Sequence, residues 1–226
     1  MSSHHPDEVL LMEYSAGSLS EPMALCVRMH LEKCSRCRGQ LDMLNSLGAI
    51  MMDTSSASHI AATHSAEDVS EDLFSTIMNR LDAEQATTTT DKPAAKTVST
   101  SRLTPLAKLL GKELEELPWK RQLGDVSVCD ISNYFGTGER VTLQKLVAGG
   151  RAPAHRHGGT ETTVVLHGAF ADSNGVFEAG DMVVLDEHGD HRPVALHGED
   201  CYTLSVLTAP VQLTGRFSRM LNPFIR

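Results

Sequence analysis

Apolar positions over residues 1–84 recur at steps of three and four, whereas beyond residue 140 they alternate or run in short blocks between glycines. The first pattern predicts helices. In "HPDEVLLMEYSAG", Pro6 suits a first turn, Asp7 and Glu8 lie at the positive end of the helix dipole, and Gly17 is a C-terminal stop. "SEPMALCVRMHL" follows, with Ser20 as N-cap and Glu21 and Pro22 in the first turn. "CRGQLDMLNSLGAIMM" carries Leu41, Leu44, Leu47 and Met51 on one stripe. Small polar residues at 54–64 predict a loop. A fourth helix is predicted in "SAEDVSEDLFSTIMNRLD", with Ser65 and Asp68 as a capping arrangement and Val69, Leu73, Ile77 and Leu81 on one face.

Residues 85–101, "EQATTTTDKPAAKTVST", have no apolar period and predict a linker. After a short helical piece, "PLAKLLGKELEELPW", come "VTLQKLV", "ETTVVLHG", "DMVVLDE", "HRPVALHG" and "YTLSVLTAP", which read as short strands. The Asn-Gly pair in "DSNGVF" is a hairpin signal. The expected fold class is multidomain, α plus all-β. A small four-helix domain over residues 1–84 and a linker over 85–101 precede a β-sandwich or barrel over 102–226.

Charge narrows the partners. The 226 residues carry 29 acids against 20 bases, a formal net charge of −9, which disfavours direct nucleic-acid binding. Between residues 65 and 91, Glu67, Asp68, Glu71, Asp72, Asp82, Glu84 and Asp91 face a single base, Arg80. That stretch is either a solvated face or a docking surface for a basic protein. The start, "MSSHHPDEVL", lacks the basic and apolar regions of an export signal, and no run approaches the roughly 18–20 apolar residues of a membrane span. A cytoplasmic protein is the expectation. The five cysteines, at 26, 34, 37, 129 and 201, then suggest metal or redox chemistry rather than a disulfide scaffold. Cys26, Cys129 and Cys201 have apolar neighbours and read as packing residues.

Three of these signals converge in "HLEKCSRCR", which holds His30, Cys34 and Cys37. A redox dithiol would follow a strand, and none is predicted here. Inert buried cysteines fit poorly beside Glu32, Lys33, Arg36 and Arg38. Zinc fits best. Steps of four and three share one helix face. With a turn near Glu32–Lys33, His30 instead closes one helix while Cys34 and Cys37 open the next, whose N-terminus favours thiolates. The turn is preferred, because an unbroken helix from 20 to 52 is long for a small domain. A tetrahedral site needs one more ligand, and His5 or its neighbour His4 can supply it; spacing does not choose.

This pattern, His30-x3-Cys34-x2-Cys37 with an upstream histidine in a small helical domain, resembles the zinc-associated anti-sigma factors. The resemblance implies His5 as the fourth zinc ligand. It also implies a partner, an extracytoplasmic-function (ECF) sigma factor held inactive by the helices.

The β region has its own constellation in "GGRAPAHRHGGTETTVVLHG". Gly149, His155-x-His157, Glu161 and Gly168 stand at the spacing of the first cupin motif, and this region resembles a cupin β-barrel. Residues two apart on a strand face the same way, so His155 and His157 both point inward and Glu161 closes on the same ion. In "GDMVVLDEHGDHRPVA", counting from Gly180 puts His191 at the last ligand position, with His188 as the alternative if the register slips. Asp186, His188 and Ala195 depart from the second motif. His167 and His197 read as surface or strand-end residues. Three histidines and a carboxylate suit iron, manganese, nickel or zinc, with zinc as the first expectation.

Taken whole, with "LPWKR" at 117–121 ahead of the barrel, the chain resembles the ChrR-type anti-sigma factors. That implies release of the sigma factor under oxidative, singlet-oxygen-like stress, sensed through the cupin. The alternative is a metal-dependent cupin enzyme, a dioxygenase or isomerase, with a helical accessory domain. A rival site of sensing is the zinc thiolates, which lose the metal when oxidised.

Overall fold

Asp7 opens the first helix, α1 (Glu8–Ala16): its carboxylate accepts the Leu10 amide at 2.7 Å, and Gly17 closes the helix in the left-handed region at φ 68°. α2 (Glu21–Leu31) starts after Ser20 with Pro22 in its first turn. The chain turns through Glu32 and Lys33, as predicted, and α3 (Ser35–His59) begins directly after Cys34. This computed structural model describes residues 2–59, 75–80, 104–187, 189–215, 219–220 and 222.

The stretch 54–64, read as a loop, is helical as far as His59. No proline or glycine interrupts it there, and serine and alanine cost a helix little. Of the fourth predicted helix, residues 75–80 are described and are helical. Residues 60–74 and 81–103, with the capping pair, most of the acidic stretch and the linker, lie outside the described residues. No helix among the described residues is long and apolar enough to cross a membrane.

By contacts the chain divides into Met1–Asn45 with Arg102–Arg226, and Ser46–Ser101. In the first unit a short helix, α4 (Thr104–Leu110), leads into a cupin-type β-sandwich. Its larger sheet has the order β1-β2-β3-β10-β5-β8, all neighbours antiparallel. These are β1 (Lys120–Arg121), β2 (Val126–Asp130), β3 (Arg140–Leu146), β5 (Glu161–His167), β8 (Met182–Leu185) and β10 (Cys201–Leu207). Opposite lie β7-β6-β9 and β4-β11: β4 (His155–His157), β6 (Ala169–Asp172), β7 (Gly175–Glu178), β9 (Val194–Ala195) and β11 (Val211–Leu213). The "DSNG" segment makes the β6–β7 hairpin, pairing Asp172 with Gly175.

Alternation sorts the larger sheet into two faces. Leu146, Val165 and Cys201 turn inward, to a core with Phe170, Phe177 and Ala195. Val141, Leu143, Val164, Leu166, Tyr202, Leu204 and Val206 turn outward, yet they are buried too. The helices cover them. Leu11, Cys26, Val27, Met29, Leu31, Leu106 and Leu110 belong to the same apolar cluster, so the N-terminal helices and the outer barrel face share one core. Trp119 of "LPWKR" rests on Tyr202 at 5.8 Å and donates Nε1–H to the Leu114 carbonyl.

Gly168 ends β5 at φ 67°, and a Cβ there would run into the Asp200 backbone. We expect Gly168→Ala to lower stability by at least about 1 kcal/mol, read as a reduced urea midpoint at unchanged slope.

Candidate metal centres

The turn between α2 and α3 brings His30, Cys34 and Cys37 to one corner, and the extended segment before α1 carries His5 into it. One ligand atom from each of the four lies within 4.8 Å of all the others. His5 Nδ1 is 3.4 Å from both the Cys34 and Cys37 sulfurs. A tetrahedral zinc with ordinary bonds spaces a sulfur and a nitrogen about 3.5 Å apart, so this spacing suits it.

His30 supplies the sharper test. Its ring is fully buried, and Nδ1 lies 2.6 Å from the Gly180 carbonyl, which can only accept. Nδ1 therefore carries the proton, and Nε2 is left as a lone pair. That Nε2 is buried with no hydrogen-bond partner, and it faces the two sulfurs and His5. An orphaned buried acceptor is costly unless a cation meets it. Burial also lowers the His30 pKa, keeping the ring neutral. Cys34 stands just before α3, where the Cys37 amide donates to its sulfur at 3.4 Å. Burial and the adjoining Cys34 sulfur push the Cys37 thiol up to about 11; a bound cation reverses that balance.

His4, the other candidate for fourth ligand, points elsewhere: its ring lies 4.5 Å from that of Phe177 and 3.3 Å from the Asp181 carboxylate.

In the barrel, β4 puts His155 and His157 on the same side, β5 begins with Glu161, and the segment before β9 returns His191. The His155 and His191 backbones bridge each other, with N···O distances of 3.1 and 2.9 Å. His157 Nε2 is 2.8 Å from Glu161 Oε2 and 2.9 Å from His191 Nε2, which is 2.9 Å from His155 Nε2. His155 Nδ1–H donates to the Pro153 carbonyl at 2.8 Å and His191 Nδ1–H to Asp172 at 2.9 Å. Both Nε2 atoms are thus bare lone pairs facing one another, an arrangement that calls for a cation between them. Adjacent donors of a six-coordinate ion with bonds of about 2.1 Å sit about 3.0 Å apart, close to these spacings.

Burial, then the neighbouring His191, lowers the His155 pKa to about 4. Burial opposes ionisation of Glu161, but the hydrogen bond from His157 outweighs it and holds the carboxyl at about 2. Both donors are ready for a cation at neutral pH.

Several spaces reach this centre. A cavity of about 50 Å3 lies inside the barrel, where Gln144 donates to Ser205, Ser205 meets Thr163 at 2.6 Å, and Thr163 donates to Glu161. A cleft of about 420 Å3 approaches past Val126, Val128, Arg140 and Leu213 to His155, His157 and Glu161.

All eight predicted residues fall into these two clusters. His188 lies outside the described residues. His167 is exposed at the end of β5 beside Glu199. Cys26, Cys129 and Cys201 are buried, and burial raises all three thiols, Cys201 to about 12. Sequence reasoning missed Asp172, Thr163 and Ser205 around the barrel centre, and Gly180 and Asp181 beside the other. Asp172 was visible only as a turn residue; nothing local linked it to His191.

Known proteins resemble this chain over its length. Residues 109–211 match the ChrR cupin-like domain family. The anti-sigma-E factor ChrR of Cereibacter sphaeroides is 32% identical over 225 residues, covering 99% of this chain and 98% of that one. A chain in the crystal structure of Rhodobacter sphaeroides SigE in complex with the anti-sigma ChrR superposes with a TM-score of 0.69 at 32% identity. The match covers 92% of this chain and 99% of that one.

Proposed function

The chain belongs to the ChrR family of anti-sigma factors, and from that premise we propose that it binds an ECF sigma factor of its own organism, holds it inactive, and releases it under oxidative stress. As a member of that family it is a regulatory protein rather than an enzyme. The observation that carries the reading is likeness in sequence and fold, over nearly the whole chain, to a protein solved with its sigma factor bound. Working beside RNA polymerase places it in the cytoplasm, with a protein as its direct partner rather than nucleic acid.

His5, His30, Cys34 and Cys37 hold zinc in this reading. The ion ties together the segment before α1, the end of α2 and the start of α3, so it shapes the helices that grip the sigma factor. On α3 the predicted stripe divides: Leu41 and Leu44 pack partly on the shared core, while Leu47 and Met51 are 54% and 62% exposed. Apolar surface of this kind suits a protein partner.

His155, His157, Glu161 and His191 hold a second divalent ion in this reading, three imidazoles and a carboxylate being a donor set that suits several first-row metals. Bound there, such an ion offers open positions to a small oxidant. The protein supplies the rest: Asp172 and Pro153 fix two imidazoles, and Thr163 orients Glu161. A hundredfold weaker grip on the sigma factor after signalling requires only about 2.7 kcal/mol of coupling.

The test co-expresses the full chain with each ECF sigma factor of the source organism. A one-to-one complex is expected. His155→Ala/His157→Ala should keep that complex and its N-terminal zinc but fail to release the sigma factor under singlet oxygen. Intact release would remove the cupin from sensing and favour the zinc thiolates.

A further inference from the structure

The N-terminal metal centre does not end at its four ligands. Between β7 and β8 the barrel chain turns through Glu178–Asp181, and this turn holds two of the zinc-binding segments at once. The Gly180 carbonyl accepts from His30 Nδ1 at 2.6 Å. Asp181, whose side chain is 1% exposed, accepts the Ser3 amide at 2.7 Å and the His4 amide at 3.2 Å through Oδ1. Its Oδ2 accepts the Glu178 amide at 2.9 Å and lies 3.3 Å from both the Ser3 hydroxyl and His4 Nδ1. The Met182 amide then donates to the His4 carbonyl at 3.1 Å. His5 is the next residue.

The turn is itself anchored. Gly180 donates to the Val165 carbonyl, and the Val165 amide to the Asp181 carbonyl, at 2.8 and 2.9 Å. Gly180 sits at φ 102°, and a Cβ there would stand 2.8 Å from Ser2 Oγ and 2.9 Å from Lys33 Cβ. Only glycine lets the N-terminal segment and the start of the Glu32–Lys33 turn close so tightly on the barrel. Burial opposes ionisation of Asp181, but the amides of Glu178, His4 and Ser3 outweigh it and keep the carboxyl below its usual range.

Resting on the zinc reading above, we infer that this barrel turn completes the N-terminal metal centre, with Asp181 as a positioning residue that fixes His5 through the Ser3–His4 backbone while Gly180 fixes His30. Imidazole ligands bind a metal well only when their orientation is held, and groups that hold them tune affinity. Two of the four ligands are held by the β-sandwich rather than by the helices. The same turn follows the β6–β7 hairpin, whose Asp172 holds the barrel ligand His191. One short stretch of chain, 172–181, therefore touches the orienting groups of both centres. Zinc affinity at the N-terminal centre is a property of the docked barrel.

The full-length protein tests this. Zinc affinity is measured by chelator competition for wild type, Asp181→Ala, Asp181→Asn and His4→Ala. Cobalt substitution identifies the centre by a thiolate band absent from Cys34→Ser/Cys37→Ser. Asp181→Ala should weaken zinc at this centre about 10–100-fold. Asp181→Asn, which keeps one oxygen for the Ser3 and His4 amides, should fall between. The partly exposed His4→Ala should weaken it less, in the same direction. The barrel metal should be unaffected, whereas a general loss of folding would weaken both. Should Asp181→Ala fail to fold, the near-isosteric Asp181→Asn decides. Variants that bind zinc as tightly as wild type while showing the cobalt–thiolate band would overturn the clasp and leave the zinc reading standing. A wild-type protein without that band would overturn both.

Discussion

Cys34→Ser/Cys37→Ser should remove one zinc per chain and, with it, the complex with the sigma factor. Two of the four donors are lost, and those left, His5 and His30, cannot satisfy the ion alone. In small structural sites the apparent free energy of zinc binding is about 10–16 kcal/mol at neutral pH, and much of that is folding free energy. Even a quarter of it exceeds the roughly 2.7 kcal/mol that separates full binding from a hundredfold loss. The check is metal analysis and co-purification on the full chain, because the helices share their core with the barrel and are not expected to stand alone. A variant that keeps the sigma complex at wild-type affinity without zinc would show that the ion does not shape the binding surface.

Leu204→Ala should destabilise helices and barrel together. Leu204 is completely buried on the outward face of β10, in the cluster that contains Val27, Met29 and Leu31 of α2. Removing a fully packed leucine side chain costs about 2–5 kcal/mol, the larger values arising where the cavity cannot collapse. A rigid sheet on one side and a packed helix on the other leave little room to relax. Out of a total of about 5–15 kcal/mol, that is a large share. The single tryptophan, Trp119, reports from beside Tyr202 on this same face, while far-UV circular dichroism reports the helices. Both probes should move to lower denaturant together. A shift in Trp119 alone would mean that the helices do not depend on the barrel face.

The shared core shows where sequence reasoning stopped. The four- and three-residue steps placed α1, α2 and the start of α3 correctly, because helix caps and stripes are local signals: Asp7 and Gly17 act within one turn. The strands β3, β5, β8 and β10 showed in the same way. In β5, "ETTVVLH" has Val164, Val165 and Leu166 in succession, which is the mark of a strand buried on both faces. What covered the second face could not be read from it. An amphipathic α2 fits equally well against other helices or against a sheet, since apolar burial has no direction.

The two candidate metal clusters were legible for a related reason. His30, Cys34 and Cys37 lie within one turn of chain, and His155, His157 and Glu161 on β4 and at the start of the next strand, β5, so spacing alone nearly fixes their geometry. His5 and His191 arrive from a distance, and resemblance to known families was needed to select them over His4 and His188. The groups that orient the ligands are further removed still. Gly180 is 150 residues from His30, and Asp181 is 177 from His4.

From the sequence alone follow the helical and β regions, the ligand types and most of their positions, because each rests on interactions between residues near in the chain. Only the tertiary structure decided that α2 lies on the barrel, that Nε2 of His30 is orphaned, and that a barrel turn grips the segment carrying His5. Those depend on which distant surfaces exclude water from one another, and a hydrogen bond or an apolar contact between them leaves no mark on the local pattern.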